Sequence, residues 1–336
     1  MDFSLTPDQE LLHDTARALL ANECPPSLLR EHMTDRAAAE PLWRHLREFA
    51  ALGAGEATDL CVFVEQTGYV AAPGPFFASA ALCAPLLSAI GHPAADAVVA
   101  GESVGTVAVA GSSGEWLPNA EPVKFFVLDA DLADYIAVVE PGPSVRVITR
   151  PTATALREIG TVDSTRRCYR LEVSDRGGDS TPISPEAWQA WRDRAHAALA
   201  AEMVGTARRL FDMALEYAKE RKQFGTPIGA FQAIQHKLAD LALALERATA
   251  AVQYASMTVD AVDGDTLERT RACHVAKAAA GDAARRCLKD GIQIHGGIGY
   301  TWEHDLHLFI RRATASEFLL GPTSWHHDRL ADLLFA

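Results

Sequence analysis

The chain has 336 residues, of which 49% are hydrophobic and 22% are charged, a composition typical of globular proteins and unlike that of disordered ones. This length suggests two or three domains with a substantial buried core. The 31 basic and 44 acidic side chains give a formal net charge of −13, which argues against a nucleic-acid partner because phosphates require basic surfaces. A net −12 of this charge lies before residue 181, so an anionic cofactor is best accommodated after it.

The sequence indicates a cytoplasmic protein without a membrane anchor. Its first residues, Met1-Asp2-Phe3-Ser4, lack the basic start and apolar run of a secretion signal. No stretch approaches the roughly 18 apolar residues that a membrane span requires. The six cysteines are scattered without a Cys-x-x-Cys pair, which favours packed thiols over disulfides or a zinc site.

Residues 1–101 are predicted to be helical. Thr6 can cap a first helix, Pro7 suits its first position, and Gln9 can close a capping box. Further helices are predicted over about 40–52 and 57–70, and an Ala/Leu-rich run to Ile90 follows a break at residues 71–75.

Residues 102–180 are predicted to form a small β domain, because short Val-rich segments alternate there with Gly, Pro and Asp. Residues 176–180 are predicted to be a linker that closes it. The predicted strands are Val104–Ala110, Lys124–Leu128, Tyr135–Glu140, Ser144–Thr149 and Cys168–Val173.

Residues 181–336 are predicted to form a four-helix bundle, since four long segments with helical apolar spacing are joined by short connections. The fold class is therefore mostly α with a small central β domain. The predicted helices cover about 185–222, 230–262, 266–293 and 303–320.

Two motifs in the bundle carry most of the functional signal. The first is Arg221-Lys222-Gln223-Phe224-Gly225, followed by Phe231-Gln232. The pattern predicts a helix that ends at Gly225, with Arg221 in its last turn, where a cation suits the helix dipole. The Arg221 guanidinium is equally suited to bind a phosphate.

The second motif is the segment from Gln293 to Tyr300, which reads Gln-Ile-His-Gly-Gly-Ile-Gly-Tyr. Its glycines can bring bare backbone N–H groups close to a ligand or simply make a tight turn between helices. The segment follows a helix rather than a strand, which excludes a Rossmann nucleotide-binding turn.

In this order and spacing, and with Thr301-Trp302-Glu303-His304-Asp305 after them, the two motifs resemble those of the acyl-CoA dehydrogenase family. The resemblance extends over the whole chain and implies a helical N-terminal domain, a β domain and a C-terminal four-helix bundle. It also implies that one set of residues binds the adenosine-diphosphate half of FAD, characteristically the FAD of a neighbouring subunit. These residues are Arg221, Gln223, Phe224, Gln232, Gln293, Gly296 and Gly297.

The implied reaction removes two hydrogens from the Cα–Cβ bond of an acyl-CoA. In the family a carboxylate takes the α-proton, flavin takes the β-hydride, and an electron-transferring flavoprotein reoxidises the flavin.

The chain departs from the family at the catalytic base. Leu320 occupies the position of the usual glutamate, and Ala195 occupies the alternative position on the first bundle helix. Pro322 replaces a threonine that supports the subunit's own flavin in the family. The shortened β section also lacks the family's Thr-Glu-Pro-x-Ala-Gly-Ser-Asp segment.

Two other carboxylates could replace the base. Glu202 lies seven residues beyond Ala195 on the same helical face, and Glu317 lies one turn before Leu320. Solvated or capping roles are the simpler interpretation of both. We expect no metal site: His304 and His307 resemble a cluster, but they follow a family helix entrance, and His326 is predicted to lie on a polar helix face.

Three hypotheses follow. In the first, the chain is a subunit of a heteromeric acyl-CoA dehydrogenase, expected to be of α2β2 type, whose full-length partner supplies the base for a bulky or steroid side-chain acyl-CoA. Alternatively, it is a self-sufficient homo-oligomer that uses Glu202 or Glu317. The third hypothesis is a redox-inactive assembly or regulatory protein of the same fold.

Overall fold

The computed structural model describes residues 3–149, 154–173 and 179–335. It is mostly helical with a small β section, which confirms the predicted fold class. The boundaries at residues 101 and 180 stay a prediction, and the predicted linker at 176–180 lies largely outside the described residues. Within those residues, no helix has the length and apolar character needed to cross a membrane.

The N-terminal portion begins with the predicted capping box. Thr6 Oγ1 accepts a hydrogen bond from the backbone N–H of Gln9, whose side-chain Oε1 accepts one from the Thr6 N–H. Two short helices, α2 and α6, are present that the sequence patterns did not predict. The helices are α1 (Pro7–Glu23), α2 (Pro26–His32), α3 (Glu40–Leu46), α4 (Ala57–Tyr69), α5 (Ala84–Ala89) and α6 (Ala95–Val99).

The Ala-rich run after α4 forms a π-helix over Phe77–Cys83, all of it buried. This wider helix is rare and occurs mostly as single turns. One of its carbonyls, that of Leu82, accepts a hydrogen bond of 2.9 Å from Trp191 Nε1. The π-helix is thereby tied to the first helix of the bundle.

The β section contains two small sheets. One has the order β1-β3-β4-β7, with β1 parallel to β3 and the other pairs antiparallel, and the second is antiparallel with the order β2-β6-β5. The five predicted strands are present, and β5 and β7 were not predicted. The strands are β1 (Gly105–Ala108), β2 (Val123–Leu128), β3 (Tyr135–Glu140), β4 (Ser144–Thr149), β5 (Thr154–Ile159), β6 (Cys168–Val173) and β7 (Ser180–Pro182).

The C-terminal portion contains the four predicted long helices and a fifth, around His326, for which the patterns gave no bounds. The fifth, α11, packs against α9. Buried residues of the N-terminal helices and of the bundle form one continuous hydrophobic core, which includes all six cysteines as free thiols. The helices are α7 (Pro185–Glu220), α8 (Gln232–Asp260), α9 (Thr266–His295), α10 (Leu306–Phe318) and α11 (Thr323–Phe335).

Helices α4 and α7 approach closely at two glycines. A Cβ atom added at Gly205 would overlap the backbone oxygen of Glu65, and one added at Gly68 would overlap that of Glu202. Backbone atoms cannot move aside as flexible side chains can, so only glycine allows this crossing.

We expect Gly205→Ala to lower the free energy of unfolding by at least about 1–3 kcal/mol, since the added methyl group must separate two packed helices. Urea denaturation followed by circular dichroism measures this change. The control is Gly55→Ala, where the nearest atom would lie 3.7 Å from the new Cβ. Equal denaturation midpoints for the two variants would contradict the close crossing.

Candidate functional site

A cavity of about 730 Å³ lies between the β section and the bundle. This is the size of pocket that accepts a small-molecule ligand. Its walls come from the loops 112–117 and 159–163, from α7 at residues 191–196, and from the segment 318–325 at the junction of α10 and α11. On the α7 wall, Trp191 stacks on Trp188 with ring centroids 4.7 Å apart.

Both predicted positions of a catalytic base line this one cavity. Leu320 and Ala195 are buried in its wall, and neither can accept a proton. Pro322 also lines it. The carboxylates among the described lining residues are Glu115, which is exposed to solvent, and Asp163.

Asp163 is held by Arg312, one of the largest fully buried side chains of the described chain. Arg312 Nε donates to Asp163 Oδ2 at 2.7 Å, and Thr165 donates to the other oxygen. Burial alone would raise the pKa of Asp163, but Arg312 and the Thr165 hydrogen bonds outweigh it and lower that pKa. Asp163 is thus an ionised structural partner of Arg312 rather than a proton acceptor.

Glu202 joins the same buried group. Its Oε1 accepts from Arg312 Nη1 at 3.1 Å and from Arg166, whereas its Oε2 has no hydrogen-bond partner among the described residues. Glu202 is not among the described residues that line the cavity. Glu202 is therefore a carboxylate placed between two guanidinium groups.

Glu317 lies at the end of α10. Its Oε1 accepts from Arg285 Nη2 at 2.9 Å and from the Thr323 backbone N–H at 3.0 Å, at the start of α11. Its Oε2 has no partner among the described residues, and Glu317 does not appear in the described lining of the cavity. The carboxylate therefore joins α9, α10 and α11.

The first of the two bundle motifs, residues 221–225, forms a hairpin rather than a helix end. Helix α7 stops at Glu220, so the prediction that it continues to Gly225 is wrong. Lys222–Gln223 pairs with Thr226–Pro227, and the two turn residues, Phe224 and Gly225, both have positive φ, as a type I′ turn requires. Phe224 is 94% exposed.

The second motif lies at the same end of the bundle, because α7 and α9 both end there and α8 begins there. Tyr217 of α7 stacks on His295 of α9 with ring centroids 4.6 Å apart. Lys237 of α8 pairs with Asp290 of α9. The helix then stops at Gly296, whose φ of +62° is costly for any residue with a Cβ.

The structure brings the predicted nucleotide-binding residues together on this exposed end of the bundle. No described atom lies within 4 Å of a Cβ added at Gly296 or Gly297, so the backbone there is open. Arg221 is exposed and forms no ion pair with the described residues. The exposed side chains of the group are Arg221, Gln223, Phe224, Gln232 and Gln293.

A second group of titratable residues was missed in the sequence. His196, His274 and His326 converge beside the cavity, and all three are buried. The prediction that His326 lies on a polar helix face is wrong, because α11 packs that side against α9. His304 and His307 lie elsewhere, where His304 contacts His295 and His307 contacts Trp302.

These three histidines are held neutral. Burial lowers the pKa of His274 to about 4 and that of His326 to about 2, assisted by Arg192 for His274 and by Lys277 for His326. The pKa of His196 is likewise lowered, mainly by burial. No spacing rule could find the cluster, since its members come from three helices that only the tertiary fold brings together.

Comparison with known families matches residues 193–335 to the C-terminal domain of acyl-CoA dehydrogenase. The whole chain is similar to the acyl-CoA dehydrogenase IpdE2 of Mycobacterium tuberculosis, with 33% identity over 333 residues and 94% of each chain covered.

Two solved structures have a similar fold. One is a variant of the Tcur3481-Tcur3483 steroid ACAD, with a TM-score of 0.86, 25% identity and 98% of each chain covered. The other is the ChsE4-ChsE5 complex from Mycobacterium tuberculosis, with a TM-score of 0.85 and 21% identity, covering 100% of this chain and 99% of that one.

We expect Arg312→Met to lower the free energy of unfolding by about 3–5 kcal/mol, because it leaves the buried carboxylates of Asp163 and Glu202 without their shared cation. Urea denaturation at neutral pH measures the loss. Arg44→Ala, which removes an exposed ion pair with Glu40 within α3, is the control and should cost well under about 1 kcal/mol. A loss for Arg312→Met no larger than that of the control would show that the buried network is not needed for stability.

Proposed function

Because the chain belongs to the acyl-CoA dehydrogenase family, we propose that it is the subunit without a catalytic base in a heteromeric, FAD-dependent acyl-CoA dehydrogenase. In this proposal the chain supplies the nucleotide half of a shared flavin site. A full-length homologue supplies the base that takes the α-proton of the acyl-CoA, and an electron-transferring flavoprotein reoxidises the flavin.

The observation that carries the proposal is the apolar character of both base positions in one cavity. Leu320 and Ala195 occupy the wall where the family places its carboxylate, and they offer no proton acceptor. General-base catalysis is typically worth about 10²–10⁴ in rate, so the loss is large unless another subunit provides the group. The arginine-paired Glu202 and Glu317 are poorly placed to replace it.

The exposed end of the bundle fits the adenosine-diphosphate half of FAD. Arg221 would neutralise diphosphate charge, the amides of Gln223 and Gln232 would donate hydrogen bonds, and the open backbone at Gly296 and Gly297 admits close approach. FAD, when bound, supplies the acceptor for the hydride. Phe224 supports this assignment, because it is an exposed aromatic residue held at positive φ, and its ring meets Phe231 edge-on with centroids 6.2 Å apart.

The two halves of a flavin site lie far apart in this chain. Helix α7 is continuous from the cavity at Ala195 to Glu220, next to Arg221, which is about 38 Å at 1.5 Å per residue. A single flavin nucleotide does not span that distance. The nucleotide-binding end must therefore serve a cavity in another subunit, which makes oligomerisation part of flavin binding.

For the substrate we propose a bulky acyl-CoA, such as the thioester of a steroid side chain. The support is the similarity to a steroid ACAD with a TM-score of 0.86. Two unlike subunits would leave half as many catalytic cavities, and hence more room around each for a large acyl group.

The proposed function predicts that flavin binding needs both subunits. We expect little flavin absorbance near roughly 450 nm when the chain is purified alone, and stoichiometric flavin with turnover when it is co-expressed with a full-length homologue from the same organism. Stoichiometric flavin and turnover in the lone chain would favour the self-sufficient homo-oligomer. A stable complex without flavin would favour an assembly or regulatory protein.

The second prediction concerns Arg221 in the co-expressed complex. Arg221→Ala should cause loss of most of the bound flavin on gel filtration, since the diphosphate loses its cation. Lys219→Ala removes an exposed cation two residues earlier, on the last turn of α7, and is the matched control. If both variants retain flavin equally, this chain does not contribute Arg221 to the site.

A further inference from the structure

Three buried histidines meet beside the cavity, one from each of three helices. His196 of α7, His274 of α9 and His326 of α11 each offer a ring nitrogen, and these atoms all lie within 4.8 Å of one another. The relative exposures are 3%, 3% and 0%. Their ring planes are tilted by 41° to 83° against each other, so the rings converge from different directions rather than forming a stack.

The hydrogen bonds of this cluster are incomplete. His274 Nδ1 and His326 Nδ1 lie 2.7 Å apart, so at most one proton occupies the space between them. Nδ1 of His196 and Nε2 of His326 are buried without a hydrogen-bond partner of good geometry among the described residues, although the backbone of Leu320 also approaches the His326 ring. Burying a polar atom without a good partner is costly, so two such atoms in one cluster indicate a ligand that would satisfy their lone pairs.

We propose that His196, His274 and His326 bind one divalent transition-metal ion of the zinc class, with a fourth coordination position facing the cavity. Imidazole nitrogen is a preferred ligand of Zn²⁺, Co²⁺, Ni²⁺ and Cu²⁺, whereas Mg²⁺ and Ca²⁺ prefer oxygen. Three protein ligands leave a tetrahedral ion one open position, and His196 is the ligand that lines the cavity wall. Water or an anionic group of a cavity ligand would occupy that position.

The charges near the three histidines affect how strongly they can bind a metal ion. Neutral imidazole is the form that binds a metal. Arg192 on the cavity wall and buried Lys277 oppose a further cation. Lys277 Nζ, however, donates to the backbone oxygens of Glu317 and Gly321, which offset part of its positive charge.

Such an ion would connect α11 to α7 and α9. His326 lies six residues after Leu320, and its Nε2 is close to Gly321, where an added Cβ would lie 3.3 Å from it. The ion would therefore fix the segment 318–325 that forms one wall of the cavity. Metal binding should stabilise the fold as well as shape the cavity.

The full chain, freed of metal with a chelator and then dialysed, is titrated with Co²⁺ and, separately, with Zn²⁺. We expect one equivalent of Co²⁺ to bind with the intense visible absorption of a tetrahedral site, displacement of Co²⁺ by Zn²⁺, and a higher melting temperature with Zn²⁺. His326→Ala and His274→Gln should each lose the absorption and the increase in melting temperature. His327→Ala, which changes the exposed neighbour, should keep both.

The unmodified chain provides the decisive result, which does not depend on whether a variant folds. Failure to bind stoichiometric Co²⁺ or Zn²⁺ would overturn the proposal. Bridging water would then be the partner of His196 Nδ1 and His326 Nε2. Tetrahedral cobalt absorption that persists in a folded His326→Ala variant would place the metal elsewhere and would also overturn it. None of these readouts requires flavin or a partner subunit, so they are separate from the proposed function.

Discussion

The guanidinium group of Arg312 is the interaction on which the arrangement of the chain depends. From α10 it bonds the carboxylates of Asp163 and Glu202, the hydroxyl of Thr165 and the backbone oxygens of Ala71 and Ala72. One side chain therefore joins the N-terminal helices, the β section and the first bundle helix. A buried guanidinium is stable only when all its donors are satisfied, so the three portions must be correctly placed together.

This constraint also decides what Glu202 can do. A carboxylate two helical turns from an empty base position would be a natural substitute base on sequence spacing alone. In the fold it neutralises Arg312 and Arg166, and its removal would leave these guanidinium groups buried without sufficient negative charge. The architecture and a role as a new base therefore make opposite demands on the same side chain, which is a physical reason why Glu202 does not replace the missing carboxylate.

The sequence was informative wherever a local pattern has a local cause. The capping box of Thr6 and Gln9, the alternation of strands such as Tyr135–Glu140 and the glycine that ends α9 all follow from neighbouring residues. The end of α7 was misjudged because Lys222–Gln223 pairs with the strand after it, which competes with helix continuation. Arg312 and the histidine cluster could not be found, since their partners lie as far as 241 and 130 residues away in the chain.

The two candidate binding regions, the cavity and the hairpin, lie at opposite ends of α7, so this helix sets the distance between them. The cavity lies near the start of the helix, and the nucleotide-binding hairpin lies directly after its end. Because glycine contacts with α4 fix α7 in the core, neither region can move toward the other without breaking the packing at Gly205 and Gly68. If Arg221 holds a flavin as proposed, that flavin projects away from this chain's own cavity and toward another subunit. Under this proposal, flavin binding and subunit association are thermodynamically linked.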